Sequence, residues 1–398
     1  MPNPYKVITG LLKSFEKGIF TAKTGFMRLI LPALLSFVFN YTNAQDYFLL
    51  VGTYDSPKSE GIYVYSFNKR DGSAKEISHV KTSNPSYLAV STNQKYVYAV
   101  NENADSTGTG GGVTSFFLNK KSGQLSQLNY QSSEGNHPCY ITTDKTGKYV
   151  VAGNYSSGSL AILPVKPNGS LQKASRVFQH TGKSVNEERQ TGPHVHATVF
   201  SPDEKFLFVP DLGIDKIKVY SFQSGKLKPA INYDVSTGPG SGPRHFVFHP
   251  NGKFAYLVQE LLGSVNAYSY RNGRLSVLQE GMSALPLTYK GPIGSADIHV
   301  SPDGKFLYVS NRGGSNSIAI FSINPFNGKL KISNHQSTLG EKPRNFNFDP
   351  SGNFLLVGNQ DSDEVVIFKR NKETGLLADT GKRIKVGRPV CIKWIKTK

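Results

Sequence analysis

The chain has 398 residues, with 39 Gly, 24 Phe and 20 Tyr, only 19% charged residues and a formal net charge of +18. Abundant turn formers and β-forming aromatics, without long helical periodicity, exclude a mainly helical fold and point to an all-β protein with a substantial core. The positive charge is diffuse; no Lys/Arg run marks a nucleic-acid arm, so nucleic acid is not expected as a partner.

The first 44 residues hold five Lys/Arg and one Glu, leaving the rest at +14 (18 − 4). Met27-Arg28 opens a secretory pattern: an apolar segment over residues 29–39, then Thr42-Asn43-Ala44 as a small-residue cleavage site before Gln45. The apolar stretch is short for a transmembrane helix, so no stable span is expected after cleavage. The expectation is export to the periplasm or beyond, with residues 1–44 an extension plus signal and Met27 a candidate true start. Residues 45–398 are then the mature domain.

From residue 46 the chain reads as a repeat. Residues 46–54, 61–67 and 76–81 look like second, third and fourth strands that lack a first. Six hairpins follow. The fourth, residues 242–261 (GPRHFVFHPNGKFAYLVQEL), shows the plan: two strands joined at Asn251-Gly252, whose residues supply the positive φ angles of a tight turn. Its midpoint places Arg244 roughly opposite Glu260 on one face. Aligned on the residue after the turn, the equivalents of Arg244 are Ser86, Cys139, His196, Arg244, Ala296, Arg344 and, in the C-terminal RPVCIKWI, Val390. They are spaced by 53, 57, 48, 52, 48 and 46 residues. A period near 50 containing several short strands is the signature of a β-propeller. Residues 112–119 and 125–131 follow the first hairpin as outer strands; residues 317–323 and 329–334 follow the fifth. The C-terminal strand completes the N-terminal set, so seven four-stranded antiparallel blades are expected, closed by pairing the chain ends.

The start of each first strand and the end of each second lie at one edge, so the repeat builds two rings around one channel mouth. The second ring is Glu102, Tyr155, Leu212, Glu260, Arg312 and Gln360. The Asn and Asp residues just before these read as hairpin caps; Asn311, beside Arg312, is kept as a candidate substrate contact. Arg344 is open between a substrate clamp and a blade-to-blade ion pair. His194-Val195-His196 on a strand would turn both imidazoles the same way. Two histidines without a Cys pair or an HExxH are too few for zinc, so no metal and no cofactor are expected. His245, His249 and His299 have one neighbour or none of obvious chemistry. No GxSxG, P-loop or dinucleotide fingerprint supports other chemistry. The loop over residues 181–192, with Glu187-Glu188-Arg189-Gln190, could overhang the mouth. Cys139 and Cys391 fall in non-neighbouring blades, which argues against a disulfide.

The repeats resemble the seven-bladed propeller lactonase family, which includes bacterial 6-phosphogluconolactonases and fungal carboxymuconate lactonising enzymes. The matching segments are GPHVHATVFSPDEKFLFVPDLGIDKIKVY from residue 192, the 242–261 hairpin, ADIHVSPDGKFLYVSNRG from 296 and PRNFNFDPSGNFLLVGNQ from 343. The resemblance implies a metal-free site of His196, with His194 a candidate beside it, and Arg244, Glu260 and Arg312. It implies hydrolysis of a sugar or related anionic lactone to its hydroxy acid, whereas the export signal sits poorly with a phosphorylated cytoplasmic substrate. In that chemistry His196 or Glu260 activates water, and Arg244 and Arg312 stabilise the oxyanion. A neighbouring Arg keeps Glu260 ionised, which would leave His196 as the acid if one is needed. A non-catalytic binding propeller and a muconate lactonising isomerase are the alternatives.

Overall fold

The computed structural model describes residues 47–397. The expected signal sequence, its expected cleavage site and Met27 lie outside the described residues. Seven sheets follow one another. The first pairs Pro389–Lys396 with Tyr47–Thr53, then adds Gly61–Phe67 and Ala74–Lys81. The C-terminal strand therefore closes the ring, with Tyr47 opposite Lys396 and Val51 opposite Ile392.

The second blade runs from Leu88–Val90 to Leu125–Ser132 and the third from Pro138–Thr143 to Arg176–Gln179. The fifth, sixth and seventh begin at Pro243–Phe248, Ser295–Val300 and Pro343–Phe348. Each of these sheets is antiparallel in chain order. The fourth blade departs from the plan. Its first strand shrinks to Val199–Phe200, and Val235–Ser236 joins as an extra strand against Lys216–Gln223.

Burial grades outward through each blade. The second strand of the fifth blade, Phe254–Gln259, is buried along its length. The fourth, Arg274–Ser283, is mostly exposed. Second strands are packed on both faces by neighbouring blades and so read as continuous apolar runs; outer strands meet water.

One contact repeats at every blade junction. A left-handed glycine in the turn between the third and fourth strands lies against an aromatic at the first or second position of the second strand of the preceding blade. The pairs are Gly72 on Phe354, Gly123 on Phe48, Gly169 on Tyr96, Gly225 on Tyr149, Gly273 on Phe206, Gly328 on Phe254 and Gly375 on Phe306. A Cβ on Gly328 would stand 2.5 Å from Phe254 Cδ1, and its φ is +71°. Only glycine fits both demands. Tyr256 and Tyr308 fasten the same turns by donating hydroxyl hydrogen bonds to the Gly328 and Gly375 carbonyls at 2.9 and 2.6 Å.

The 242–261 hairpin corrects two expectations. Of Asn251 and Gly252 only Gly252 takes a positive φ, +70°. The Gly252 N–H bonds back to the His249 carbonyl, a single tight turn that needs one left-handed residue. The strands also slip by a bulge between Pro243 and Phe246, which leaves Pro243 opposite Gln259. Arg244 therefore sits within the bulge, and its long side chain reaches Glu260 from there.

Candidate active site at the channel mouth

The hairpin edges bring the first ring together. Ser86, Cys139, His196, Arg244, Arg344 and Val390 line one cavity on the axis, together with His245.

Glu260 is the electrostatic centre. Its Oε2 accepts from Arg244 Nε at 2.8 Å and faces Arg312 Nη2 at 3.0 Å; its Oε1 accepts from Arg189 Nη2 at 2.9 Å. Burial alone would raise the carboxyl, but Arg312, then Arg244 and Arg189, outweigh it and hold Glu260 well below the usual carboxylate range. Burial lowers Arg312 to about 10, still cationic at neutral pH. One carboxylate against three guanidiniums leaves the mouth net positive. All three guanidiniums are held around this one carboxylate.

Arg189 is the member that the repeat register could not supply. It comes from the 181–192 loop, which does reach over the mouth. Buried Gln190 plugs this loop into the fold by donating Nε2 to the Leu212 carbonyl and to Asp215 Oδ1, each at 2.8 Å. Asp215 also accepts from the Gly240 and Gly242 N–H groups at 2.7 and 2.8 Å, tying the loop to the start of the Arg244 strand. Arg189 Nη2 reaches the Tyr155 hydroxyl at 3.1 Å as well.

His196 is buried, with Nδ1 3.5 Å from Cys139 Sγ. Burial, then Arg244 and His245, push it well below the ordinary histidine value, so it stands neutral at neutral pH. A neutral imidazole has a ring nitrogen able to accept a proton, which fits the base role expected for His196 or Glu260, whereas the acid role needs the imidazolium. Burial pushes the Cys139 thiol up, which keeps it protonated and non-nucleophilic.

His194 and His196 are not on a regular strand. Only the isolated bridge Val195–Asp211 pairs their segment. His194 stacks on Tyr155 at 4.5 Å and 12°, with Nδ1 3.0 Å from the Tyr155 carbonyl oxygen, while His196 meets the same ring edge-on at 5.3 Å. Asp211 sets this segment: its Oδ1 accepts the His194 N–H at 2.7 Å, and its Oδ2 lies 2.6 Å from His180 Nδ1. Among the described residues, no three His, Cys, Asp or Glu side chains group in a way that would hold a metal ion.

His245 and His299 share one chemical neighbour. Asp297 faces His245 Nδ1 at 2.7 Å and His299 Nε2 at 3.0 Å. Burial and then Arg244 lower His245 to about 4 against the pull of Asp297. Neutral His245 then donates Nδ1–H to Asp297 and accepts from Arg244 Nη1 at 3.2 Å, which fixes the tautomer and the arginine together. The signal was present as the DIH of the sixth repeat, but it needed the ring closed in space.

Asn311 is not a substrate contact. It is fully buried, donates Nδ2 to the Ala284 carbonyl at 2.7 Å and to Ser317 Oγ at 3.2 Å, and accepts from Ser295 Oγ at 2.6 Å. Its polar atoms are spent fastening the blade. Arg344 lies in the channel, over the Tyr54 ring at 5.3 Å and 3.7 Å from Glu102 Oε2, so it is a loose blade-to-blade ion pair at the cavity wall.

A closed seven-bladed ring with a buried neutral histidine beside a carboxylate-locked arginine cluster is the architecture of a propeller enzyme that acts on an anionic or carbonyl-bearing ligand. A family profile described as "Lactonase, 7-bladed beta-propeller" matches residues 48–394, and the chain belongs to that family. It is 42% identical over 339 residues to a 6-phosphogluconolactonase of Formosa agariphila, spanning 83% of this chain and 94% of the relative. It is 38% identical over 347 residues to the 6-phosphogluconolactonase of Bacillus subtilis, covering 87% and 97%. Among solved structures, a periplasmic gluconolactonase of Pseudomonas aeruginosa superposes with a TM-score of 0.83 at 39% identity, covering 88% of this chain and 99% of that one.

Proposed function

We propose that the chain hydrolyses a sugar lactone or related lactone to its hydroxy acid, in the manner of the 6-phosphogluconolactonases it is similar to, without a metal or organic cofactor. The observation that carries the reading is the neutral, buried His196 beside the arginines locked on Glu260.

In this reading His196 takes the proton from water as it attacks the lactone carbonyl. Arg244 and Arg312 face the oxygen on which negative charge develops. Glu260 holds both guanidiniums in place, and Arg189 completes the cluster from outside the repeat. Because these groups are already oriented, little reorganisation accompanies charge development. The ring opens as the alkoxide leaves, and the proton held on His196 returns to it, so the imidazole ends neutral. Arg344 and His194 contact the substrate's remaining polar groups.

We also propose that residues 45–398 form the mature domain and that it is exported. The support is the N-terminal pattern of basic, apolar and small-residue segments, and the periplasmic name of the Pseudomonas neighbour. Export favours an unphosphorylated lactone, since sugar phosphates are intracellular metabolites.

The test is a panel of lactones, with and without a 6-phosphate, offered to the full chain and to His196→Ala. The expected result is hydrolysis of at least one lactone that drops by about 10²–10⁴-fold in the variant, the range of a lost general base. Equal rates for both proteins across the panel would overturn the reading. Muconate cyclisation without lactone hydrolysis would assign the isomerase chemistry instead.

A further inference from the structure

Charge that is diffuse along the sequence is segregated in space. The connectors between first and second strands, and between third and fourth strands, lie at the blade edge away from the mouth. The Leu118 N–H bonds to the Lys95 carbonyl and the Val165 N–H to the Lys148 carbonyl, each at 2.8 Å, so the two kinds of turn stand side by side. Among the described residues these far-edge connectors hold 14 Lys/Arg and 7 Asp/Glu, a net +7 (14 − 7). The connectors that run to the mouth, from second to third strands and from one blade to the next, hold 7 Lys/Arg and 13 Asp/Glu, a net −6 (7 − 13). The rim around the positive site is therefore acidic and the opposite face basic.

The basic charge is densest on the second and third blades. Their far-edge connectors, residues 91–95, 119–124, 144–148 and 165–175, carry seven lysines and one acid. That acid, Asp144, is buried and accepts the Lys148 and Tyr149 N–H groups at 2.9 and 2.8 Å. Lys95, Lys121, Lys148 and Lys166 are exposed. The Tyr96 hydroxyl donates to the Pro167 carbonyl at 3.4 Å and Gly169 lies against the Tyr96 ring, so the Lys95 and Lys166 turns meet across the blade junction. Like charges gathered in one patch repel one another, and an anionic partner relieves that repulsion. From the same face, in the turn between the third and fourth strands of the sixth blade, Phe326 stands 92% exposed. Basic side chains meet anionic headgroups while an apolar ring enters the acyl boundary, so lysines and an exposed aromatic on one face fit a lipid layer.

We propose that the face opposite the mouth is a docking surface for an anionic lipid layer, centred on the lysines of the second and third blades. A protein docked this way keeps its channel mouth turned to the water, open to a soluble substrate. The docking surface does not depend on which reaction the mouth performs.

The experiment is co-sedimentation of the full chain with vesicles of phosphatidylcholine alone and of phosphatidylcholine with about 30% phosphatidylglycerol, at low ionic strength, where surface attraction is least screened. Binding to the anionic vesicles should exceed binding to the neutral ones by about tenfold or more, and should fall toward it in about 0.5 M salt. Two double variants then locate the surface. Lys121→Glu with Lys148→Glu alters the far face; Lys183→Glu with Lys290→Glu alters the mouth side; all four residues are exposed. Both pairs change the net charge equally, so only position distinguishes them. The far-face pair should lose about tenfold of the anionic-vesicle binding and the mouth pair less than about twofold. The N-terminal apolar segment is common to every protein compared, so its own affinity for lipid drops out. Equal binding to the two vesicle types, or an equal loss in the two double variants, overturns the proposal. So does binding to a DNA duplex of about 30 base pairs without binding to anionic vesicles, which would assign the face to nucleic acid.

Discussion

Glu260 shows how one side chain can organise a site without reacting in it. Its carboxylate is the shared anchor of Arg189, Arg244 and Arg312. Glu260→Gln keeps the shape but leaves three cations without their counter-charge. Breaking a buried pair of this kind costs about 3–5 kcal/mol. The expected outcome in urea denaturation is a loss of that order. Removing Glu373 from its exposed pair with Lys305 should change stability by less than about 1 kcal/mol. Histidines set the response to acid. In the unfolded chain both imidazoles take a proton near about 6.5. In the folded chain His245 does so near 4, and His196 only well below its ordinary value. Between those values the unfolded state holds more protons, so stability falls as pH falls. Going from pH 7 to pH 5 should cost about 2 kcal/mol through His245 alone. A melting temperature unchanged between those pH values would refute this. Lactone hydrolysis should keep its rate at pH 6.5, because His196 is still neutral there. Residues repeated in register were legible from sequence: His196, Arg244, Glu260 and Arg312 all reach the mouth. Arg189 was not, because its loop has no equivalent in other blades. Asn311 was misread because a capping residue and a binding residue look alike until their partners are seen.

At the scale of strands and turns, the repeat length and hairpin signals defined the blades, and the physics of the bulge decided the details. Expected strands over residues 61–67 and 317–323 match Gly61–Phe67 and Ser317–Ile323 in full. The expected 329–334 strand runs on to Ser337, since outer strands are half exposed and their polar ends carry no apolar signal. The fourth blade's short first strand was not foreseen. Asp211 takes the His194 N–H that a strand partner would otherwise accept, which frees the histidine segment from sheet geometry. The glycine–aromatic junction was visible only as scattered glycines, because its meaning lies between blades. It carries a sharp prediction. Gly328→Ala meets both a left-handed backbone and the Phe254 ring, and should lower stability by roughly 2–4 kcal/mol. Gly192→Ala has open space and no positive φ, and should be near neutral. Paired chemical denaturation curves would show whether the two differ.

For the whole molecule, the closure of the ring is the dominant fact. The strand Pro389–Lys396 is the first strand of a blade whose other three come from the opposite end of the described chain. It makes the sheet continuous and covers an edge that would otherwise invite association. Its contribution also reaches the neighbouring blade, where Asn345 Oδ1 accepts the Ile392 N–H at 2.8 Å. Deleting residues 389–398 should open the ring, expose the Tyr47–Thr53 edge and yield a chain that aggregates. Light scattering against the full chain would reveal it. A monomeric, fully active truncation would contradict the closure argument.

The same strand places Val390 in the wall of the axial cavity and Cys391 against the Leu88 N–H. The candidate site is therefore completed by the strand that lies farthest along the described chain from the Tyr47–Thr53 strand it pairs with. Until that strand has been made, the cavity lacks Val390 and stays unfinished, whatever number of blades has already folded. Until then the Tyr47–Thr53 edge also stays unpaired, so the cavity and the ring are finished by one folding event.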